Sequence, residues 1–192
     1  MNYFTNTFLK TSLLLTFFKL ALFAAPSGVY VELGAGLSLD DVQETKCVNY
    51  VYNRGYIGSI ALGFQVDTLR VELEQRYKKD DLYSASIGNS SSIKVNGDLI
   101  SNSQMLNLYY SGYNSSKLIS SVGLGVGITS LELGETLKDD TVLSLQGMLS
   151  VGYGISESFI ATTKYTYFYT SQSDSFKANS DSAITFTLRY IF

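Results

Sequence analysis

The fold is indicated most directly by the segment Ser182-Ala183-Ile184-Thr185-Phe186-Thr187-Leu188-Arg189-Tyr190-Ile191-Phe192. Large apolar side chains fall at every second position from Ile184 to Phe192, and mostly small or polar residues lie between them. Side chains of a β-strand alternate between the two faces of a sheet, so this period of two predicts an amphipathic strand. One face of that strand is oily, and the other carries threonines and Arg189.

The same alternation recurs along the chain and predicts about eight strands. The further segments that show it lie at 29–39, 56–66, 69–77, 105–111, 121–129, 143–153 and 158–169. The connections between them are alternately long and short, as in bacterial outer-membrane barrels, which have an even strand number, short periplasmic turns and longer external loops. Most segments are near the ~9–11 residues that cross a bilayer at a tilt. The sequence therefore predicts an all-β fold, an eight-stranded antiparallel transmembrane β-barrel.

The two faces of these strands indicate which side meets lipid. The face opposite the aliphatic stripe is Gly, Ser, Thr, Gln, Glu, Arg and Lys, whereas a barrel in water would enclose its apolar side chains. We therefore expect a polar lumen and a lipid-facing exterior. Two aromatic girdles are predicted, Tyr56, Tyr77, Tyr167 and Tyr169 near the long loops and Phe64, Tyr110, Tyr153, Phe159, Tyr190 and Phe192 near the short turns. The alternative is that tyrosines are simply good strand formers.

The amino-acid composition limits which catalytic and metal-binding chemistry the chain can perform. The chain contains no His, the residue most often used as a general base near neutral pH and the commonest metal ligand. We expect a non-enzymatic protein with no catalytic residue, no metal site and no cofactor. The single cysteine, Cys47, excludes an intrachain disulfide. A free surface thiol is the preferred interpretation, and an intermolecular disulfide is the alternative.

Residues 1–25 have the pattern of a signal peptide, with Lys10 before an apolar run and small residues at Ala24 and Ala25. Cleavage near these alanines would leave 26–192 as the barrel. Removal of Lys10 and Lys19 leaves 12 basic residues against 17 acidic ones. This balance disfavours nucleic acid as a partner.

The inner faces of the predicted strands carry one charged constellation. Its members are Glu32, Arg70, Glu72, Glu74, Arg76, Lys164 and Arg189. Counting from the strand ends places Arg189 beside Glu32 and puts Lys164 and Glu72 near mid-height. Buried charges need partners, and an eight-stranded interior is just wide enough for side chains to fill it. We expect these residues to pair across the lumen as a structural plug. An ion path gated by them is the alternative.

Glycines on the same inner face are predicted to make room for the long side chains. Gly123, Gly125 and Gly127 alternate along one segment and invite comparison with a phosphate-binding loop, but no helix is predicted to follow them. The acidic pairs Asp40-Asp41 and Asp139-Asp140 are interpreted as solvated loop charge, with loose binding of a divalent cation as the alternative.

Three motifs carry a resemblance to a known class. They are Gly28-Val29-Tyr30-Val31-Glu32-Leu33-Gly34-Ala35-Gly36, the hairpin from Ile60-Ala61-Leu62-Gly63-Phe64 to Arg70-Val71-Glu72-Leu73-Glu74, and the terminal Arg189-Tyr190-Ile191-Phe192. With them the chain from 26 to 192 resembles small outer-membrane β-barrel proteins of the OmpA/OmpX-like and opacity-type surface-antigen families. One departure is that no peptidoglycan-binding domain follows the predicted closing strand, so a peptidoglycan anchor is not expected.

The resemblance implies a bacterial outer-membrane location and contact with outer-membrane lipid and lipopolysaccharide. It also implies recognition by the barrel-assembly machinery, which in that class reads a C-terminal aromatic with alternating apolar residues before it. The matching residues of this chain are Phe186, Leu188, Tyr190 and Phe192.

The sequence favours a structural or surface-interaction role. Loops on rigid scaffolds carry recognition, so loops 40–54 and 78–100 are expected to contact a host, matrix or neighbouring surface. A narrow pore for ions or small solutes is the alternative. An enzyme acting on lipid ranks third, for want of His.

Overall fold

The structure is a computed structural model that describes residues 28–39, 42–44, 49–52, 55–86, 93–113, 117–133, 140–172 and 178–192. All regular structure in these ranges is β-strand. The strands are β1 Val29–Ser38, β2 Val42–Glu44, β3 Asn49–Tyr52, β4 Tyr56–Val66, β5 Leu69–Ser86, β6 Ile93–Tyr113, β7 Leu118–Leu133, β8 Asp140–Gly154, β9 Phe159–Thr170 and β10 Asn179–Ile191. In the described part of the chain, no helix has the length and apolar character needed to cross a membrane.

Strand β1 and strands β4 to β10 close into a barrel. β1 lies between β4 and β10, and the β5–β6 pairing joins the two ends of the strand order. Every pairing is antiparallel. The short strands β2 and β3 lie outside the closed ring, where β3 pairs with β5. The prediction of an eight-stranded antiparallel barrel is confirmed.

The barrel is strongly sheared. A row of register partners that leaves β1 at Ser38 returns to β1 at Gly28, ten residues nearer the N-terminus. In order, the row passes through Ala183, Thr166, Met148, Gly123, Tyr109, Arg70 and Gln65. Shear sets strand tilt and barrel diameter together. This shear therefore makes an interior that side chains can fill, and it decides which inward residues lie at the same height.

The two ends of the barrel differ in their connections. At one end, here called the short-turn end, β4 and β5 are joined by a tight turn through Asp67, whose φ of 49° is left-handed. Aspartate tolerates that conformation better than most residues. At the opposite, long-loop end, longer segments connect the strands, and parts of those segments lie outside the described residues.

The outer face of the barrel is apolar between its two ends. Large apolar side chains, aliphatic or aromatic, stand exposed on every barrel strand, with Leu124 at 72 % and Phe186 at 67 % exposure. A water-soluble protein buries such residues, so this continuous band is suited to lipid. The aromatic residues of the two predicted girdles also point outward. Tyr56, Tyr77, Tyr167 and Tyr169 stand toward the long-loop end, and Phe64, Tyr110, Tyr153, Phe159, Tyr190 and Phe192 stand toward the short-turn end.

The structure corrects the predicted loop 78–100. β5 continues to Ser86 and β6 begins at Ile93, so much of this segment is a two-stranded extension of the barrel wall. An Asn-Gly pair commonly forms the tip of a tight hairpin, but at Asn96-Gly97 the chain does not turn, because Gly97 pairs with Leu82 inside the ladder. The error arose because the segment is polar, and hydropathy alternation disappears where a strand no longer faces lipid. Likewise, loop 40–54 contains β2 and β3, and the closing strand begins at Asn179.

The signal peptide predicted at 1–25 lies outside the described residues and stays a prediction. So do Cys47, Asp40, Asp41 and Asp139. The three alternating glycines of β7 do face inward, where a Cβ at Gly123 would meet Tyr109 and a Cβ at Gly125 would meet Asn107. Their interpretation as space for opposing side chains is confirmed.

Glycine substitution on the two faces tests the inward and outward assignment. A Cβ at Gly127 would overlap the backbone carbonyl of Gln104, which has no room to yield, whereas a Cβ at Gly147 meets nothing within 4 Å. We expect Gly127→Ala to destabilise the barrel by about 1–3 kcal/mol, the usual cost of overpacking. Gly147→Ala should stay within about 0.5 kcal/mol of the wild type. Urea unfolding in lipid vesicles, followed by circular dichroism, measures both; equal losses would contradict the assignment.

Candidate functional site

The lumen holds the charged residues of the barrel. Ten charged side chains are buried in the described part of the chain, each with at most 8 % exposure. Five are cationic and five anionic: Arg70, Arg76, Lys78, Lys164 and Arg189, and Glu32, Glu72, Glu74, Asp80 and Asp181. An isolated buried charge is very costly, and pairing offsets that cost. The buried set is therefore formally neutral when every group is ionised.

The tier nearest the short-turn end is built around Glu32. Arg189, its register partner across the β1–β10 seam, donates from Nε at 2.9 Å and from Nη2 at 2.7 Å to the carboxylate oxygen Oε2. Arg70 Nη1 lies 3.9 Å from the same oxygen, and Lys164 Nζ lies 3.8 Å from Oε1. One carboxylate thus contacts cations from three other strands.

Two tyrosines cover the arginines of this tier. The Arg70 guanidinium carbon lies 4.2 Å from the centroid of the Tyr109 ring, and that of Arg189 lies 4.6 Å from the centroid of Tyr30. Cation–π contact of this kind is strengthened where water is excluded. Tyr30 and Tyr109 are almost completely buried, so they both fill the lumen and accommodate the cations.

The middle tier contains Glu72 and Glu74, held mainly by neutral donors. Glu72 accepts hydrogen bonds from the Tyr30 hydroxyl at 3.0 Å and from Asn107 Nδ2 at 3.1 Å. Glu74 accepts from Asn107 Nδ2 at 2.9 Å and from Gln146 Nε2 at 3.0 Å. Lys164 Nζ lies 3.4 Å from Glu74 Oε1 and links this tier to Glu32.

The upper tier lies toward the long-loop end. Lys78 forms ion pairs with Asp181 and, at 3.0 Å, with Asp80. Arg76 Nη2 lies 3.8 Å from Asp181 Oδ1, and its guanidinium carbon lies 4.5 Å from the centroid of the Phe168 ring. Beside these side chains is a cavity of about 10 Å³, about the size needed to hold one water molecule.

The structure places all seven predicted lumen residues inside the barrel and brings six of them into the two lower tiers. Arg76 instead pairs with Asp181 in the upper tier. Arg189 meets Glu32 as expected. Lys164, which was placed near mid-height with Glu72, forms its ion pairs with Glu74 and Glu32, a choice of partners that a count from the strand ends cannot show.

Sequence reasoning missed Lys78, Asp80 and Asp181. Lys78 and Asp80 lie on the same inner face of β5 as Glu74 and Arg76, since they are the next alternate residues. The strand predicted from the sequence, however, ends at Tyr77. Asp181 has the same parity as Arg189 on β10 and lies one residue before the predicted closing strand. All three could have been found by continuing the alternation of inward and outward side chains beyond the last apolar residue of each strand.

The predicted assembly-signal residues Phe186, Leu188, Tyr190 and Phe192 stand on the outer face. Tyr190 packs against Phe159 and Phe192, with ring centroids 4.9 Å and 5.1 Å apart. Among the described residues, no group of three or more His, Cys, Asp or Glu side chains has the arrangement of a metal site.

Comparison with known proteins places the fold. No protein-family model and no curated protein matches the chain. Among solved structures, Neisserial surface protein A is similar, with a TM-score of 0.64 and 14 % identity over 85 % of this chain and 97 % of that one. The outer membrane protein OprG from Pseudomonas aeruginosa has a TM-score of 0.60 and 14 % identity over 87 % and 97 %. The chain has the fold of the small bacterial outer-membrane β-barrels.

A third outer-membrane barrel extends the likeness. The attachment invasion locus protein Ail of Yersinia pestis, in complex with the heparin analogue sucrose octasulfate, has a TM-score of 0.50 and 12 % identity over 86 % of this chain and 99 % of that one. At such identities the likeness concerns the fold alone. Barrels of this fold span the bacterial outer membrane, and the lipid-facing band of this chain agrees with that location.

Removing the Glu32 charge tests the lumen tiers. Glu32→Gln keeps the side-chain volume but leaves Arg70, Lys164 and Arg189 with one anion fewer. Breaking a buried pair by removing one partner costs about 3–5 kcal/mol, so a loss of unfolding free energy of that size is expected. Asp98→Asn, at the exposed Lys79–Asp98 pair, should cost less than about 1 kcal/mol.

A second variant separates charge from packing. Glu32→Gln combined with Lys164→Gln restores a neutral lumen and should recover part of the loss, which urea unfolding in detergent micelles can measure. If the double variant were as unstable as the sum of the single variants, the two groups would not be coupled.

Proposed function

We propose that the chain is a non-enzymatic outer-membrane barrel whose lumen is a structural plug and whose long-loop end serves surface interaction. The observation that carries the proposal is the charge-balanced, filled lumen. Its ten ionic groups compensate one another across three tiers, and the cavity beside the upper tier has room for about one water molecule.

The arrangement of charges argues against an ion-selective path. Selective pores line their constriction with charges of one sign or with rings of carbonyls. Here both signs of charge occur together along β5, where two glutamates, Glu72 and Glu74, lie between Arg70 and Arg76 on the inner face. Because their fields largely cancel, neither anions nor cations gain a favoured route.

The long-loop end provides a platform for contacts. Beyond the Tyr56–Lys79 pair, β5 exchanges its partner β4 for β3, and β2 pairs with β3 in turn. The result is a sheet of β2, β3, β5 and β6 that continues the barrel wall past its lipid-facing band. Loops and extensions on a rigid scaffold are common recognition sites.

The names of two similar structures support a surface role, since one is a surface protein and the other an attachment invasion locus protein. The proposed partners are outer-membrane lipid and lipopolysaccharide around the wall, the barrel-assembly machinery through the C-terminal strand, and a host or matrix ligand at the platform. Nucleic acid is not among them, because the chain is acidic overall.

Conductance in a planar bilayer tests the plug. The wild-type barrel should insert without steady ionic current across a broad range of salt and voltage, because the buried side chains of the three tiers fill the lumen. Its insertion is verified by heat-dependent migration on a gel. Regular, reproducible openings of the wild type would contradict the plug and favour a pore.

A narrow pore is the second candidate, and one observation favours it. Arg70 Nε and Nη1, Arg76 Nη2 and Asp181 Oδ1 are buried atoms without a hydrogen-bond partner in the described part of the chain. Such atoms would bind water or ions along a path. Glu32→Ala and Asp181→Ala should enlarge current if a path exists, and leave the bilayer silent if the remaining side chains still seal the lumen.

Shortening the β5–β6 extension tests the surface role. Replacement of residues 82–97 by a two-residue Asn-Gly turn should preserve folding, because the removed segment lies beyond the lipid-facing band. Bacteria displaying the shortened chain should lose adhesion to immobilised matrix proteins and cultured host cells relative to bacteria displaying the wild type. If adhesion were unchanged at equal amounts of protein on the cell surface, the β5–β6 extension would not be the site of surface interaction.

A further inference from the structure

The lipid-facing band is interrupted by a pair of amides. Gln75 on β5 and Gln104 on β6 are direct register partners, and both are exposed on the outer face. Toward the long-loop end, the next residue of β5 on the same outer face is the girdle residue Tyr77. Toward the centre of the membrane, the neighbours of the two glutamines are Leu73 and Leu106. Among the described residues, no other amide side chain stands on the outer face between the two girdles.

An amide at this depth needs a partner. Hydrocarbon offers no donor or acceptor, and polar groups facing it are costly unless they are hydrogen-bonded. Neither amide takes part in the side-chain hydrogen bonds that the described residues form. Between transmembrane helices, polar side chains such as glutamine meet this need by hydrogen-bonding across the interface to a neighbour, and the same physical argument applies to a barrel wall.

An ion pair closer to the long-loop end is also divided between β5 and β6. Lys79 on β5 and Asp98 on β6 lie 2.7 Å apart, and both remain partly exposed on the outer face at the rim. The cation thus belongs to one strand and the anion to its neighbour. Rotation about a two-fold axis along the membrane normal sets β5 of one barrel against β6 of another, so Lys79 would face Asp98 of the second copy.

The same rotation sets Gln75 opposite Gln104 of the second copy. A glutamine amide is both donor and acceptor, so such a pair is complementary to itself, as a two-fold interface requires. A patch carrying a single sign of charge would repel its copy. Leu106, which is 52 % exposed, supplies apolar contact below the amides.

We propose that the face formed by Gln75, Lys79, Asp98 and Gln104, the β5–β6 face, is where a second copy of this chain docks within the membrane. The dimer is parallel and two-fold symmetric. In this dimer, Gln75 of each copy forms a hydrogen bond with Gln104 of the other. At the rim, Lys79 of each copy pairs with Asp98 of the other copy. This association is independent of whether the lumen conducts and of which ligand the platform binds.

Cross-linking between two differently tagged copies tests the geometry. Both copies carry Cys47→Ser; one also carries Gln75→Cys and the other Gln104→Cys. On oxidation in outer-membrane vesicles, we expect a covalent dimer containing both tags, because β5 of one copy lies against β6 of the other. Folding of each copy is verified by heat-dependent migration on a gel.

The control places the cysteine on the opposite wall. Tyr167→Cys on β9 is also lipid-exposed, but it lies away from the proposed interface and should give at least five-fold less dimer at equal expression. Equal yields from the two designs would indicate random collision and overturn the proposal. Cross-linking only to other proteins would replace the second copy by a different partner and also overturn it.

An apolar variant gives a second readout without cysteines. Gln75→Leu combined with Gln104→Leu removes the hydrogen bonds but suits lipid, so the barrel should fold while the fraction of dimer counted by single-molecule photobleaching in bilayers falls several-fold. Ser120→Leu with Thr163→Leu makes the same polar-to-apolar change on β7 and β9 and should leave that fraction unchanged. A wild type that is monomeric in this measurement would refute the dimer.

Discussion

The carboxylate of Glu32 lies in the lumen and forms ionic contacts that connect its strand to three other strands of the barrel wall. It contacts Arg189 across the β1–β10 seam, Arg70 on β5 and Lys164 on β9. Arg189 and Glu32 are 157 residues apart in sequence, so the seam requires the whole chain to have wound round before it can form. The backbone ladder closes the sheet, and this ionic cluster fixes the height at which the first and last strands meet.

That cluster also explains why the polar side chains point inward. In lipid a charged side chain on the outer face would be uncompensated, whereas in the lumen it meets charges of opposite sign and hydrogen-bond donors. The two glutamates of the middle tier depend largely on neutral groups, and Asn107 donates to both of them. The two lower tiers balance three cations against three anions, and the upper tier balances Arg76 and Lys78 against Asp80 and Asp181. The upper tier extends this charge-balanced filling toward the long-loop end.

The prediction from sequence was strongest where hydropathy alternates and weakest where it does not. The strands that cross the apolar band were found in nearly the right places, because lipid demands apolar residues on one face. β5 and β6 were cut short at Tyr77 and Met105, since beyond these residues both faces become polar. The pair Asn96-Gly97 has the composition of a tight turn because both residues tolerate a positive φ. In the structure Gly97 instead pairs with Leu82 within the extended ladder.

The order of residues along each strand specifies which side chains share a face, because the pleat of a strand is local and every second residue points the same way. The polar lumen, the lipid-facing exterior and the inward position of Glu32, Arg70 and Lys164 follow from that pattern. Which of these side chains meet depends instead on how the barrel closes. Contact across a lumen depends on the relative heights of distant strands, and the ten-residue shear that sets those heights belongs to the closed barrel and to no single segment. For this reason the ion pairs of Lys164 with Glu74 and Glu32 could not be predicted from its position in the strand.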